Sequence, residues 1–364
     1  MAQAIKQSSI PATMRALAIA AYGKPSTYGI ATVPTPQITQ PDEVLIKVHA
    51  TSVNPIDIVL ASGALKMATK DTFPFILGYD AAGTIVAVGS GVHDLKVGNE
   101  VFTRAPNHLR GTIAEYCISS ASATARKPAS MTFVDAASIP LVGLTVLQAI
   151  RRADAELDGG LKGKTVFVPG GLSGTGSVAV QLLRNVFGAK KVITTLSPGK
   201  MERAKELWKD GEGEVVYLDY TKDDVNSAIG PKTVDFMLDT MASAMESLPL
   251  IRHGGVIVTI SKTPSGDELK AKFKSAPWIM VALLNLVDGV NRWRASRHGV
   301  KYSYMWMNAD GKGLEDLGTW VEEGKIKPLV GNIAQLEDME AVKEGFEEVQ
   351  KGKGGIGKFV IKAL

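Results

Sequence analysis

The stretch that most limits how this chain can fold is Thr165-Val166-Phe167-Val168-Pro169-Gly170-Gly171-Leu172-Ser173-Gly174-Thr175-Gly176. Thr165 to Val168 is a β-branched and aromatic run, which reads as a short buried strand. Four glycines within seven residues interrupt it, and a helical pattern starts at Ser177. Strand, glycine loop and helix in that order aim free backbone N–H groups from the positive end of a helix dipole, a geometry suited to phosphate. Against the dinucleotide fingerprint G-x-G-x-x-G, Gly171 and Gly176 take the first and third glycines, and Ser173 takes the second, with Gly174 beside it. A plain tight turn is the competing reading of the same glycines.

At 364 residues the chain is long for one core and comfortable for two domains. Hydrophobic residues make up 45% and charged residues 21%, the range of globular proteins. A net charge of +4, spread thinly, argues against nucleic acid as a partner. Cys117 is the only cysteine, which excludes an internal disulfide and a cysteine-rich zinc site, and fits a reducing compartment. Met1 to Thr13 carry no long apolar run, and Trp278 to Leu284 is too short to span a bilayer. These features predict a soluble, cytoplasmic protein.

Residues up to about 135 are β-rich, with strands expected at Met14–Ile19, Glu43–Ala50, Ala81–Gly89, Val97–Phe102 and Ile113–Ile118. The spacing turns helical from Phe133 to Arg152, with a break near Pro140. Beyond the glycine loop, strands at Val192–Leu196, Val215–Leu218, Thr233–Asp239 and Gly255–Ile260 alternate with helices. Runs apolar on both faces and separated by helices predict a parallel sheet covered on both sides. From Tyr302 the pattern changes again, to helices at Leu314–Glu323 and Met339–Gln350 and a closing strand at Lys358–Lys362. The expected division is 1–139, 140–301 and 302–364, the last segment returning to complete the first domain.

Several further motifs occur in order around the loop: Asn54-Pro55-Ile56-Asp57 with Ser62-Gly63, Gly78-Tyr79-Asp80-Ala81-Ala82-Gly83, Gly143-Leu144-Thr145-Val146-Leu147-Gln148-Ala149, Gly324-Lys325-Ile326-Lys327-Pro328, and Gly357-Lys358-Phe359-Val360-Ile361. Together they resemble the zinc-independent, quinone oxidoreductase-like branch of the medium-chain dehydrogenases/reductases, from about Met14 to Ile361. The resemblance implies an α/β protein: a GroES-like β-rich catalytic domain formed by both chain ends, and a Rossmann doubly wound parallel sheet between them. It also implies that Asn54 and Tyr79 stand where zinc-dependent relatives hold cysteine and histidine ligands, so that no metal is expected.

An NAD-binding Rossmann domain usually ends its second strand with an acid for the ribose 2′-hydroxyl. This strand ends Leu196-Ser197-Pro198-Gly199-Lys200, with no acid before Glu202. A hydroxyl and an ammonium suit a 2′-phosphate, and the resemblance adds the tyrosine of Asp219-Tyr220. NADPH is therefore the expected cofactor, bound by Gly171, Ser173, Gly174, Thr175, Gly176, Ser197, Lys200 and Tyr220. Ile260 and Ser261, closing a strand of the Rossmann sheet, are expected near the ribose and nicotinamide, and the resemblance adds Thr145 and Lys358 near the nicotinamide.

Two candidates for catalysis follow. Tyr79 either donates a proton or hydrogen bond to substrate or forms an aromatic wall. Asn54 either offers its amide to cofactor or substrate or only caps the turn before Pro55. Asp57 reads as a helix cap. His108 is the one histidine expected near the cleft. The segment 278–294 is too apolar for a freely solvated helix and reads as core, as a lid, wall or subunit contact, the favoured reading, or as a membrane-surface contact, which Arg292, Arg294, Arg297 and Lys301 keep open. The expected activity is metal-free hydride transfer from NADPH to a quinone or an activated C=C bond of a small, largely apolar substrate, with a homodimer in keeping with the resemblance. The alternatives are a non-catalytic cofactor-binding or structural protein, and a biosynthetic enzyme with specialised or non-redox chemistry.

Overall fold

The computed structural model describes residues 10–69, 71–261, 263–352 and 355–363. The first part of the chain supplies β1 (Thr13–Ile19), β2 (Gly29–Pro34), β3 (Glu43–Ser52), β4 (Phe75–Ile76), β5 (Asp80–Val88), β6 (Glu100–Arg104), β7 (Tyr116–Ser120) and β8 (Thr124–Arg126). The middle supplies β9 (Thr165–Val168), β10 (Lys191–Leu196), β11 (Glu214–Asp219), β12 (Val234–Asp239), β13 (Ile251–Thr259) and β14 (Lys301–Tyr304), and the end β15 (Val330–Gln335) and β16 (Lys358–Lys362).

The middle strands form one sheet in the order β11-β10-β9-β12-β13-β14, all pairs parallel. Numbered within the domain this is 3-2-1-4-5-6, the doubly wound dinucleotide-binding order. Its strands are apolar on both faces because both faces are covered. Val166, Val168, Val192, Phe236 and Val258 pack into the cluster on one side. Phe167, Ile193, Met237 and Ile257, their neighbours in sequence, pack into the cluster on the other.

The sixth strand is a departure from the sequence reading, in which the return segment begins at residue 302. Tyr302 and Tyr304 pair instead with Ile257 and Thr259, so the middle sheet continues through Tyr304. At four residues, only partly buried, β14 is too short for a period to show.

The first domain is a seven-stranded, mostly antiparallel sheet around β3 and β5, flanked by a three-stranded sheet β2-β1-β4. The chain's end completes it: β16 pairs antiparallel with β3 and parallel with β15. The helical stretch from Phe133 divides at Ser138-Ile139 into Phe133–Ala137 and Pro140–Glu156, as Pro140 requires at a helix start.

The apolar segment forms one helix, Trp278–Arg297. It is not core. Met280, Val281 and Leu284 on its inner side pack into the cluster that contains Tyr79, while Ile279, Leu283, Leu286, Val290 and Trp293 are exposed. No helix among the described residues is long and apolar enough to cross a membrane.

Candidate active site

The glycine loop is shaped by close backbone approaches. A Cβ on Gly171 would lie 2.2 Å from Thr194 Oγ1 on β10, and one on Gly176 would lie 2.2 Å from the Gly170 carbonyl oxygen. Only glycine fits at either place, which accounts for the first and third glycines of the fingerprint. Ser173, at the second, is the N-cap of the helix Gly174–Asn185, its hydroxyl accepting from Gly176 N–H at 3.0 Å. Such a cap contributes about 1 kcal/mol. Gly174 N–H turns to the Gly357 carbonyl in a parallel bridge between Ser173 and Gly357, while Thr175 N–H has no partner among the described residues. A free donor at a helix N-terminus is a fitting contact for a pyrophosphate.

The 2′-phosphate candidates stand together. Leu196 and Asp219 are register partners at the ends of β10 and β11, so Ser197 and Tyr220 follow side by side. Tyr220 is exposed, and Lys200 reaches back to donate to the Gly355 carbonyl at 2.8 Å, burial lowering its pKa. Ile260 and Ser261 follow β13, their N–H groups bound to the Asp239 carbonyl and to Thr259 Oγ1. Thr145 turns its hydroxyl to the Leu141 carbonyl within its own helix.

The return strand joins this loop to the first domain. Gly357 N–H donates to the Leu172 carbonyl at 2.9 Å. A Cβ on Gly174 would lie 2.7 Å from Lys358 Cδ, so the lysine stem crosses the head of the helix Gly174–Asn185. Its ammonium then donates to the Val53 carbonyl at 2.7 Å and to Asn54 Oδ1 at 2.5 Å.

Asn54 passes the contact on: its Nδ2 donates to Asp80 Oδ2 at 2.8 Å. Asp80 is fully enclosed, accepting also from Ser52 Oγ and, through Oδ1, from Leu141 N–H in the first turn of Pro140–Glu156. A carboxylate there gains from the helix dipole and from three donors. Asp57 Oδ2 accepts from Asn54 N–H at 2.8 Å, the cap expected of it. Both amide atoms of Asn54 are thus engaged within the protein. Burial raises the Asp57 carboxyl to about 7 and raises Asp80, while Lys358, itself lowered by burial, draws both back down.

Tyr79 is 1% exposed, and the Arg104 guanidinium stacks over its ring at 4.4 Å. Burial raises its phenol pKa, with Arg104 and Arg110 opposing, so the hydroxyl keeps its proton at neutral pH. His108 is exposed. Burial pushes the Cys117 thiol up to about 12, leaving it unreactive. Among the described residues no group of three or more His, Cys, Asp or Glu side chains is placed to hold a metal ion.

Asp80, Arg104 and Lys272 were not legible as site residues. Asp80 stands within a quoted motif, but its role as the hub between Asn54 and the Pro140 helix depends on the fold. Arg104 and Lys272 meet one cavity from positions far apart in sequence.

Comparison with known proteins gives the same architecture. Residues 40–129 match the alcohol dehydrogenase GroES-like domain, and residues 211–361 match the zinc-binding dehydrogenase family. The chain is 30% identical over 366 residues to a 2-methylene-furan-3-one reductase of Solanum lycopersicum, covering 98% of this chain and 81% of the relative. The chain belongs to the quinone oxidoreductase-like medium-chain dehydrogenases/reductases, a family of oxidoreductases. It is also 32% identical to an NADPH-dependent alkenal/one oxidoreductase, chloroplastic, of Arabidopsis thaliana, over 84% of this chain and 80% of that one. Among solved structures it is similar to the quinone oxidoreductase of Coxiella burnetii, at 27% identity and a TM-score of 0.79, covering 97% of this chain and 100% of the other.

Proposed function

We propose that this protein is an NADPH-dependent reductase that delivers hydride to a quinone or to the activated C=C bond of an enone, without a metal. One observation carries the reading. Lys358 runs from Gly174, at the head of the phosphate-facing helix, to Asn54 in the first domain, so a cofactor held at the loop reaches the face where Tyr79 lies. The names of the alkenal/one and quinone relatives support the same chemistry.

When bound, the nicotinamide supplies the hydride. Thr175 N–H would hold the pyrophosphate beside Gly174, and Gly171 and Gly176 let the backbone approach it. Ser197, Lys200 and Tyr220 would take the 2′-phosphate, and Thr145, Ile260, Ser261 and Lys358 would line the ribose and nicotinamide. Asn54 acts by holding the Lys358 ammonium, and Tyr79 offers a protonated phenol to the substrate oxygen. The Lys358 ammonium, 2.5 Å from Asn54 Oδ1, puts a positive charge where a metal cation would be repelled.

The test is a panel of quinones and enones incubated with NADPH, following nicotinamide absorbance before and after treatment with a chelator. Oxidation that survives chelation is expected. NADPH binding without oxidation of any acceptor would favour the non-catalytic reading, and failure to bind any nicotinamide would end the proposal. The division at 139/140 and a cytoplasmic location belong to this reading.

The outer face of Trp278–Arg297 supports a peripheral contact with an anionic membrane surface. The helix's one acid, Asp288, is half-buried and paired with Arg292, while Arg294 and Arg297 stand exposed at the C-terminal end of the apolar stripe. Co-sedimentation with anionic but not neutral vesicles is expected. Concentration-dependent dimerisation without vesicle binding would assign the face to a second copy of the chain.

A further inference from the structure

A cavity of about 410 Å³ opens where Arg104 and Asn107 of the first domain face Gln148, Lys272, Trp306 and Asn308. Arg104 connects it to the candidate active site, because the same guanidinium covers the ring of Tyr79 at 4.4 Å.

The charge on the cavity wall is lopsided. Arg104, Arg152 and Lys272 line it, against one acid, Glu268. Glu268 leans to Arg152, at 3.9 Å, and Arg152 also donates to the Tyr304 carbonyl at 3.2 Å. Lys272 donates to the Met307 carbonyl at 2.8 Å and to Asn308 Oδ1, both neutral acceptors. Arg104 is the least satisfied. It is 3% exposed, Nη1 donates to the Ala105 carbonyl at 3.1 Å, and its buried Nε has no partner among the described residues. Asp57 and Asp80 attract Arg104 from a distance, but neither hydrogen-bonds to it.

A buried guanidinium with idle donors costs stability unless a ligand answers it. Its planar fork matches the two oxygens of a carboxylate. Burial, with Arg104 nearby, pushes the Lys272 ammonium down to about 8, a cost that an anion between the two cations would relieve. The surrounding Trp306, packed edge-on against Phe273 at 5.6 Å, leaves an apolar wall for the rest of the molecule.

We propose that this cavity is a carboxylate-binding subsite, and that the enzyme's substrate is an apolar carbonyl compound bearing one carboxylate, gripped by Arg104 and Lys272 beside Tyr79. The identification of the ligand as substrate rests on the reductase reading; the subsite itself does not.

The test therefore separates binding from turnover. Binding of 4-oxopentanoate and of its methyl ester, neither of which carries a reducible C=C bond, is measured by calorimetry on the full chain near neutral pH. The carboxylate is expected to bind at least about tenfold more tightly than the ester. In Arg104→Gln and in Lys272→Met the preference is expected to shrink to within about threefold, with NADP⁺ leaving carboxylate binding in place. Lys272 ends the short helix Gly266–Lys272, so its replacement keeps the test open if Arg104→Gln does not fold. Equal binding of acid and ester, binding of neither, a preference that survives every variant that folds, competition by NADP⁺, or tighter binding of inorganic phosphate than of the carboxylate would each overturn the assignment. Oxidation of NADPH by the unsaturated 4-oxopent-2-enoate is recorded separately, so its absence counts against the reductase reading and not against the subsite.

Discussion

The ammonium of Lys358 lies 2.5 Å from Asn54 Oδ1, across 304 residues of chain. The contact closes the first domain with its own return strand and lays the lysine stem over Gly174. Replacing Lys358 by Met would leave the Val53 carbonyl, Asn54 Oδ1 and two buried acids without their cation. Breaking a buried charge network in this way costs about 3 kcal/mol or more. Urea unfolding of Lys358→Met is expected to show a loss of that order, together with loss of NADPH oxidation. An unchanged midpoint would mean that the network does not hold the domains together.

The corner at Ser197, Lys200 and Tyr220 should distinguish the two nicotinamide cofactors. Removing the ammonium in Lys200→Ala takes away the only cation among those three, and charge-assisted bonds to phosphate are worth about 1.5–3 kcal/mol. NADPH affinity is expected to fall about tenfold or more, with NADH affinity nearly unchanged. Equal losses for both would place the 2′-phosphate elsewhere.

Tyr79 offers a direct test of proton donation. Its phenol stays protonated because burial raises its pKa, and Arg104 stacks on the ring and not on the hydroxyl alone. Tyr79→Phe keeps the ring and its packing, so the fold should persist while kcat falls about a hundredfold. Unchanged turnover would leave Tyr79 as a wall.

Asp57 predicts a pH dependence of stability. Its carboxyl is raised from 3.8 to about 7 in the folded protein, chiefly by burial. The folded state therefore binds the proton more tightly than the unfolded chain, and this group's contribution falls as pH rises from about 4 to about 7. The charged groups around it are Asp80, Lys358 and Arg104, with the Tyr28 phenol nearby. Asp57→Asn keeps an oxygen for Asn54 N–H and removes the titration. Subtracting its thermal-unfolding profile from that of the parent across this range should reveal the slope; parallel profiles would show that Asp57 does not titrate there.

Much of the fold was readable because local sterics and side-chain period express themselves over short distances. The alternation of β-rich and α/β segments, the break at Pro140 and the glycine loop all follow from neighbouring residues. β2, β4, β8, β14 and β15 were missed because short or exposed strands carry little apolar signal. The helix Trp278–Arg297 was visible as an apolar stretch, but which of its faces would be covered was not.

By itself the sequence determined the turn from β9 into the helix Gly174–Asn185, because a β-branched run, a cluster of glycines and a capping serine specify it locally. It also determined the absence of an acid after β10. The tertiary structure decided the rest of the site. Lys358 meets Asn54, Asp80 meets Leu141, and Arg104 faces Lys272 only when the return strand and the post-β13 helices dock on the first domain. Charges so far apart in the chain have no preferred distance until apolar burial brings their carriers together.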